Sequence, residues 1–235
     1  MNFYDKDLLK SDYLRRLKRV ENPYRNYQAL IDSLESIYDY NQQHAASFTK
    51  RIKSQQKDIK TCESVFTEII VYAHYLRLVY EGIIKSLNMV EKDYDLRIEL
   101  SDGSFRYLEI FSIMPGLKIS TRDKIIVNDI KTHLQEEFSS VRQKLLHKIN
   151  NQKQLSKPRE NFAVIELNDI SITGDFSILS SLSNGYKIKI DKGTIKIIDE
   201  GFDWSNSIFD NAIVKHLKGI IYFSLGNYNK RKFIS

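Results

Sequence analysis

Three acidic residues are spaced as the ligands of a metal site could be. Asp95 and Glu109 each lie in a β-patterned run of YDLRIELSDGSFRYLEIF, residues 94–111, and Glu68 lies on a helix-patterned segment upstream. Carboxylate oxygens are the ligands that Mg²⁺ takes in proteins. A helix and two neighbouring strands could bring these side chains together. The pattern therefore predicts a site for Mg²⁺ or Mn²⁺ with Asp95, Glu109 and Glu68 as ligands.

The geometry of the hairpin decides whether two of these carboxylates meet. A two-residue turn would point Asp95 and Glu109 to opposite faces of the sheet. A three-residue loop over residues 101–103 would pair Leu100 with Ser104 and place the two acids opposite each other. Glycine at the third loop position favours the second arrangement, which we predict. The residues that would then share the other, core-facing side are Leu96, Ile98, Leu100, Leu108 and Ile110.

Two facing carboxylates repel each other, which raises their pKa values unless a cation neutralises them. A divalent cation held between them can polarise a phosphodiester and generate a hydroxide nucleophile. The chemistry expected of such a site is metal-dependent hydrolysis of phosphodiester bonds.

The composition is that of a globular protein. The chain has 235 residues, of which 42% are hydrophobic and 28% charged. It lacks an apolar run near the ~18 residues of a membrane span, and its charged start lacks the apolar stretch of a secretory signal. The single cysteine, Cys62, excludes an internal disulfide and a cysteine zinc cage. We expect a cytoplasmic protein without membrane contact.

Motifs of other hydrolase classes are absent. The sequence contains no HExxH, GxSxG or GK[ST] pattern, which argues against zinc hydrolase, acyl-transfer and P-loop chemistry.

Basic residues are concentrated in two segments of a chain whose net charge is +6. Residues 1–60 hold 12 lysines and arginines, and residues 118–157 hold nine. Basic clusters beside an acidic remainder are expected where phosphates are contacted in one place and metal in another. Lysines of 50–60 and 118–157 would hold a DNA backbone, with RNA as the alternative. Solvated helix faces are the other interpretation.

The periodicities predict a mixed α/β protein, in which a mixed central sheet is flanked by helices. Residues 1–60 form an N-terminal helical extension, and 61–235 form the α/β core. The predicted core elements are helix Thr61–Tyr80, strands Ile83–Val90, Tyr94–Leu100 and Phe105–Ile113, helix Arg122–Asn151, strand Phe162–Leu167, helix Ser177–Leu182, strands Tyr186–Ile190 and Thr194–Ile198, helix Ile208–His216 and strand Gly219–Ser224.

This order resembles the PD-(D/E)XK nuclease superfamily, which has the restriction-endonuclease-like fold. Tyr94-Asp95 stands where that family has Pro-Asp, and Glu109-Ile110-Phe111 where it has (Asp/Glu)-X-Lys. Glu68, in FTEIIVYAHYL, stands where many members place a helix glutamate. The likeness covers roughly residues 61–224. It implies a metal-dependent endonuclease acting on DNA.

The chain departs from the family at the motif lysine. That lysine stands two residues after the glutamate, on the same face of the strand, where it is thought to activate water or stabilise charge on the phosphate. Here the position is Phe111. Some members recruit a lysine from a neighbouring element, and the candidates are Lys118, Lys148 and Lys153.

Two further hypotheses compete with that of an active nuclease. A degenerate, non-catalytic member would bind nucleic acid or a protein partner, with the N-terminal helices as a docking or homodimer surface. The other hypothesis is a purely structural α/β domain in an oligomer.

Each candidate ligand, and each tyrosine of the N-terminal helices, could instead have an ordinary structural role. Asp95 could pair with Arg97, and Glu109 and a further strand acid, Glu166, with any arginine or lysine. Glu68 could be a solvated residue at the edge of its helix. The tyrosines of the N-terminal helices could stack on bases, whereas helix packing or dimerisation is the alternative. These tyrosines are Tyr13, Tyr24, Tyr27 and Tyr38.

Overall fold

The computed structural model describes residues 12–90, 93–113, 143, 147, 155, 157–168, 175–183, 186–191, 196–205, 207 and 216–234.

Five α-helices lie in these ranges: α1 (Asp12–Leu17), α2 (Tyr27–Tyr40), α3 (Gln42–Ser54), α4 (Ile59–Tyr80) and α5 (Asp175–Leu182). One residue, Asn41, separates α2 from α3. Its backbone N–H donates to Ile37 O at the end of α2, and its side chain accepts from the N–H groups of Gln43 and His44 at the start of α3. Asparagine is a favoured N-cap because its side-chain oxygen satisfies such first-turn donors. Asp58 caps α4 in the same way.

The strands are β1 (Ile84–Val90), β2 (Tyr94–Leu100), β3 (Phe105–Ile113), β4 (Asn161–Leu167), β5 (Tyr186–Asp191), β6 (Lys196–Phe202), β7 (Leu217–Ser224) and β8 (Lys232–Ile234). Six of them form one sheet in the order β1-β2-β3-β4-β7-β8. The first three strands are antiparallel, β3, β4 and β7 run parallel, and β8 is antiparallel at the edge. β5 and β6 make a separate hairpin. The predicted mixed α/β class with helices flanking the sheet is confirmed.

Most predicted elements lie where expected, with two differences. β6, described over Lys196–Phe202, ends later than the predicted Ile198, and the short edge strand β8 was not predicted. The polar stretch 50–60, part of the predicted helical extension, holds the end of α3, a short link and the start of α4. The predicted helices Arg122–Asn151 and Ile208–His216 lie almost entirely outside the described residues; Gln143 and His147 are helical.

The hairpin between β2 and β3 has the predicted three-residue loop. Leu100 N donates to Ser104 O at 2.9 Å, and Gly103 N donates to Leu100 O at 3.0 Å. Gly103 has φ +82°, in the left-handed region that favours glycine. Further along the ladder Leu96 lies opposite Leu108. The register is therefore the one that puts Asp95 opposite Glu109.

Each face of the sheet carries its own apolar core. The even-numbered positions of β2 and β3 pack under α4, where Leu96, Ile98, Leu108 and Ile110 join one buried cluster. The odd-numbered positions face a second cluster, in which Phe111 and Ile113 pack with residues of β4, β7 and α5. This alternation follows from the period of two of a β-strand.

The N-terminal helices belong to the first core. Leu14, Leu34 and Phe48 lie in the same buried cluster as Ile69 of α4 and Leu96 of β2. The predicted boundary at residue 60 therefore does not separate two hydrophobic cores.

Most of the N-terminal tyrosines pack within the fold. Tyr13 is buried, and Tyr27 and Tyr38 are partly buried against the first core, which is the helix-packing alternative. Tyr24 is exposed.

A buried ion pair ties the N-terminal segment to β4. Arg25 Nη1 donates to both carboxylate oxygens of Glu166, at 2.6 and 2.5 Å, and Arg25 Nε donates to Glu63 Oε2 at 2.6 Å. The Thr67 hydroxyl also donates to Glu166. Burial alone would lower the pKa of Arg25, but the charges of Glu166 and Glu63 outweigh burial and raise it. Arg25 is therefore held as a cation inside the protein.

We expect Arg25→Met to lower the free energy of unfolding by about 3–5 kcal/mol, because Glu166 would remain buried without its counter-charge. Adding Glu166→Gln to that variant should recover part of the loss. Urea unfolding measures both effects. Arg15→Met removes an exposed pair with Asp12 and should change stability little. Equal losses in the two arginine variants would contradict the assigned role of Arg25.

We expect Gly103→Ala to destabilise the protein by about 1 kcal/mol, with Gly103→Asn costing less, because an L-residue is strained at this positive φ. A Cβ at Gly103 would meet no atom within 4 Å, so the cost is confined to the backbone. Gly201→Ala is the matched control, since its Cβ site is equally open and no positive φ is involved. A loss as large at Gly201 as at Gly103 would contradict this explanation.

Candidate functional site

Asp95 and Glu109 lie side by side on adjacent strands. The register that pairs Leu96 with Leu108 places them opposite each other on the face that carries Phe111. Directly opposite residues of an antiparallel pair have Cβ atoms about 4.5–5.5 Å apart. The Asp95 carboxylate turns toward β3, where its Oδ2 accepts from the Ile110 N–H at 2.7 Å. The register thus places two of the three predicted ligands on one face of adjacent strands.

The two carboxylates differ in exposure. Glu109 is 2% exposed, whereas Asp95 is partly exposed at the start of its strand. The hydrogen bond from the Ile110 N–H satisfies one oxygen of the Asp95 carboxylate. Arg97, the expected partner of Asp95, instead stacks over the Phe105 ring with its guanidinium carbon 4.8 Å from the ring centroid.

A cation lies near this pair that the sequence reasoning missed. Arg159 and Glu109 line the same crevice, together with Tyr94, Tyr107 and Asn161. The guanidinium stacks over Tyr107, with its carbon 4.1 Å from the ring centroid. The crevice between these described residues is too narrow for a water molecule. Metal entry next to Glu109 would need these side chains to move.

Hydrogen bonds fix Arg159 in place. Its Nη1 and Nη2 donate to Oδ1 and the backbone oxygen of Asp93, at 3.0 and 2.8 Å, and its Nε donates to Asn161 Oδ1 at 2.9 Å. The hydrogen bond from Lys157 lowers the pKa of Asp93, and the hydrogen bond from Arg159 acts in the same direction. The only sequence signal for this cluster was a pair of basic residues just before β4.

Glu68 does not join the other two acids. Its carboxylate accepts two hydrogen bonds from the Arg51 guanidinium, at 2.5 and 2.6 Å. Helix α4 packs on the face of Leu96 and Ile110, whereas strand alternation puts Asp95 and Glu109 on the other face. Within the ranges that the structure describes, no group of three or more His, Cys, Asp or Glu residues could hold a metal ion. Glu68 is therefore neither a third ligand beside Asp95 and Glu109 nor the solvated helix-edge residue of the alternative, because it is buried and paired with Arg51.

The position of the family lysine is part of the apolar core. Phe111 is 5% exposed and packs in the cluster that includes Ile113 and Ile165. The substitute candidates Lys118, Lys148 and Lys153 lie outside the described residues.

Glu166, the fourth acid raised by the sequence, also has an arginine partner. Its carboxylate is completely buried and is bound by Arg25, from a segment 141 residues earlier in the chain. Nothing in the local sequence around Glu166 indicates that partner.

Comparison with protein-family models, curated proteins and solved structures finds no match for the chain. Among the described helices, none is both long and apolar enough to cross a membrane.

We expect Glu68 and Arg51 to stabilise the fold as a pair. A double-mutant cycle with Glu68→Gln and Arg51→Met should give a coupling energy of about 1–2 kcal/mol, since charge-assisted hydrogen bonds are strong but Arg51 is 36% exposed on its side chain. Urea unfolding of the four proteins gives this value. Additive effects of the two substitutions would contradict the pairing.

Proposed function

We propose that the protein is a nuclease-like protein of the PD-(D/E)XK type that hydrolyses phosphodiester bonds in DNA, with Mg²⁺ or Mn²⁺ held by Asp95 and Glu109. The observation that carries the proposal is the hairpin register, which aligns these carboxylates on one face of adjacent strands. The order of elements supports it: helix α4, the antiparallel strands β1–β3, and β4 parallel to β3. The same order underlies the likeness to the family.

The donor set fits the ion. Mg²⁺ keeps several of its waters and is usually bound through one or two carboxylates, so Asp95 and Glu109 suffice without Glu68. When bound, the ion would polarise the phosphate and lower the pKa of an attacking water. The Ile110 N–H would hold the Asp95 carboxylate in position through its 2.7 Å hydrogen bond. Lys148 and Lys153 stay the candidates for the positive charge that Phe111 cannot supply.

Exposed lysines near the end of α3 support contact with a nucleic acid backbone. Four lysines there are exposed: Lys50 and Lys53 in α3, Lys57 in the link that follows and Lys60 in α4. Such a cluster lowers the free energy of binding to phosphates by releasing counterions. DNA is the proposed substrate, with RNA as the alternative, and Cys62, a lone buried thiol, agrees with a cytoplasmic setting.

Phe111 favours a second function, which is binding without hydrolysis. A buried aromatic side chain replaces the charge that the family uses, and the crevice beside Glu109 is narrow. In this alternative the protein is a degenerate relative of the nucleases that binds nucleic acid or a protein partner.

We expect the wild-type protein to nick supercoiled DNA in Mg²⁺ or Mn²⁺, and Asp95→Asn and Glu109→Gln to lower the rate on the order of a hundredfold or more, because each removes a charged ligand. Gel assays with and without a chelator measure this. Glu99→Gln is the matched control: it lies on the same face of β2 but bonds Lys85 and Ser86. Loss of activity in Glu99→Gln equal to that in Asp95→Asn would contradict the assignment.

Thermal unfolding separates the two functions. Mn²⁺ should raise the melting temperature of the wild type and not of Glu109→Gln, since a ligand bound only to the native state stabilises it. Stabilisation by metal, or salt-sensitive DNA binding, without cleavage would support the second function. A protein with no metal response, no cleavage and no DNA binding would exclude the metal site and nucleic acid as a ligand.

A further inference from the structure

An apolar cavity of about 270 Å³ lies beside the C-terminal half of α4, on the face of the sheet opposite Asp95 and Glu109. Ile98, Leu108 and Phe162 belong to its apolar floor. Tyr75 and Phe233 also line it. At roughly 30 Å³ per water molecule, this volume corresponds to roughly nine waters, or a ligand with a similar number of non-hydrogen atoms.

Phe233 is held at the cavity by a glycine. A Cβ built on Gly219 would lie 2.4 Å from the Phe233 ring, so the ring rests on the bare backbone of β7. Phe233 is nevertheless 56% exposed and contacts Phe162 at a centroid distance of 6.2 Å. A large exposed aromatic side chain beside an apolar cavity is typical of a ligand site.

Arg106 is the charged residue among the described lining residues. Its side chain is 47% exposed, and its guanidinium carbon lies 5.5 Å from the centroid of Phe162. Its ion pair with Glu160 is long, at 3.8 Å, and solvent-exposed, so it holds the guanidinium weakly. Burial raises the pKa of Tyr75, and the positive charges of Arg231 and Arg106 act against that rise.

We propose that this cavity binds a small carboxylic acid with an apolar tail. The tail fills the space over Ile98, Leu108 and Phe162, and the carboxylate is bound by Arg106 at the rim. A guanidinium can bind a carboxylate through two parallel hydrogen bonds. Burial of the tail supplies the remaining free energy.

The chemistry of the lining favours this class over a nucleotide. Apart from Arg106, the side-chain polar group of the described lining is the Tyr75 hydroxyl, which already bonds the Tyr228 hydroxyl at 3.1 Å. The polar edge of a nucleobase would lose its water without gaining partners here, which is costly. An alkyl or phenyl tail carries no such cost.

Octanoate and octanol, two ligands with the same tail, test the proposal on the full chain. Calorimetry or NMR titration should show saturable binding of octanoate to one site. Arg106→Gln should weaken octanoate about tenfold, which is the value of one charge-assisted interaction, and leave octanol unchanged. Phe233→Ala should weaken both ligands, since it removes apolar surface that both tails contact. Phe233 is exposed, so this variant is expected to fold.

Arg97→Gln is the matched control. It removes an equal charge from the same hairpin, but Arg97 lies on the opposite face, over Phe105. It should leave octanoate binding unchanged. The proposal is overturned by any of three results: no saturable octanoate binding, equal weakening of octanoate by Arg97→Gln and Arg106→Gln, or adenosine monophosphate competing more tightly than octanoate.

Discussion

The register of the β2–β3 hairpin governs what each face of the sheet can do. It is fixed locally by the backbone hydrogen bonds from Leu100 N to Ser104 O and from Gly103 N to Leu100 O, in a loop where Gly103 has a left-handed conformation. It is fixed globally by burial, because each large apolar side chain that packs under α4 contributes about 1.5–3 kcal/mol. A slip of one residue would carry acids into that core and expose leucines. The alignment of Asp95 with Glu109 is thus a consequence of packing, and it would exist whatever the pair does.

Once the apolar residues have set the register, the interior acids need counter-charges, and two of them obtain arginines from the N-terminal segments. Glu166 is bound by Arg25, which precedes α2, and Glu68 is bound by Arg51 of α3. Removing either arginine would take the counter-charge away from a buried carboxylate. This requirement explains why residues 12–60 share a core with the sheet instead of forming an appendage. The same need for a counter-charge explains why Glu68 and Glu166, two carboxylates considered in the sequence analysis, are engaged in ion pairs.

Features set by neighbouring residues could be predicted from the sequence, and features set by distant ones could not. The alternation over 94–113 and the glycine in the loop are local, so β2, β3 and their register follow from them. The boundary between α2 and α3 at Asn41 also had a local signal, because asparagine is a favoured N-cap. The helical periodicity on both sides of Asn41 did not indicate that boundary. The Arg25–Glu166 pair joins residues 141 positions apart, and no periodicity contains that information. β8 is three residues long, which is too short for a pattern.

Position 111 connects the packing to the proposed chemistry. It shares a strand face with Glu109, so a lysine there would reach the same carboxylates, but in this fold the face beyond Glu109 is an apolar core. The stem of a lysine packed against Ile113 and Ile165 would have to carry its ammonium out of that core to the carboxylates, since the isoleucines cannot offset its desolvation. Phe111 is therefore the residue that the packing favours. Any hydrolysis must then draw its positive charge from another element, so the proposed metal binding at Asp95 and Glu109 is separable from turnover. The proposed metal site is thus compatible with a nuclease and with a binding protein, and the source of that charge distinguishes the two.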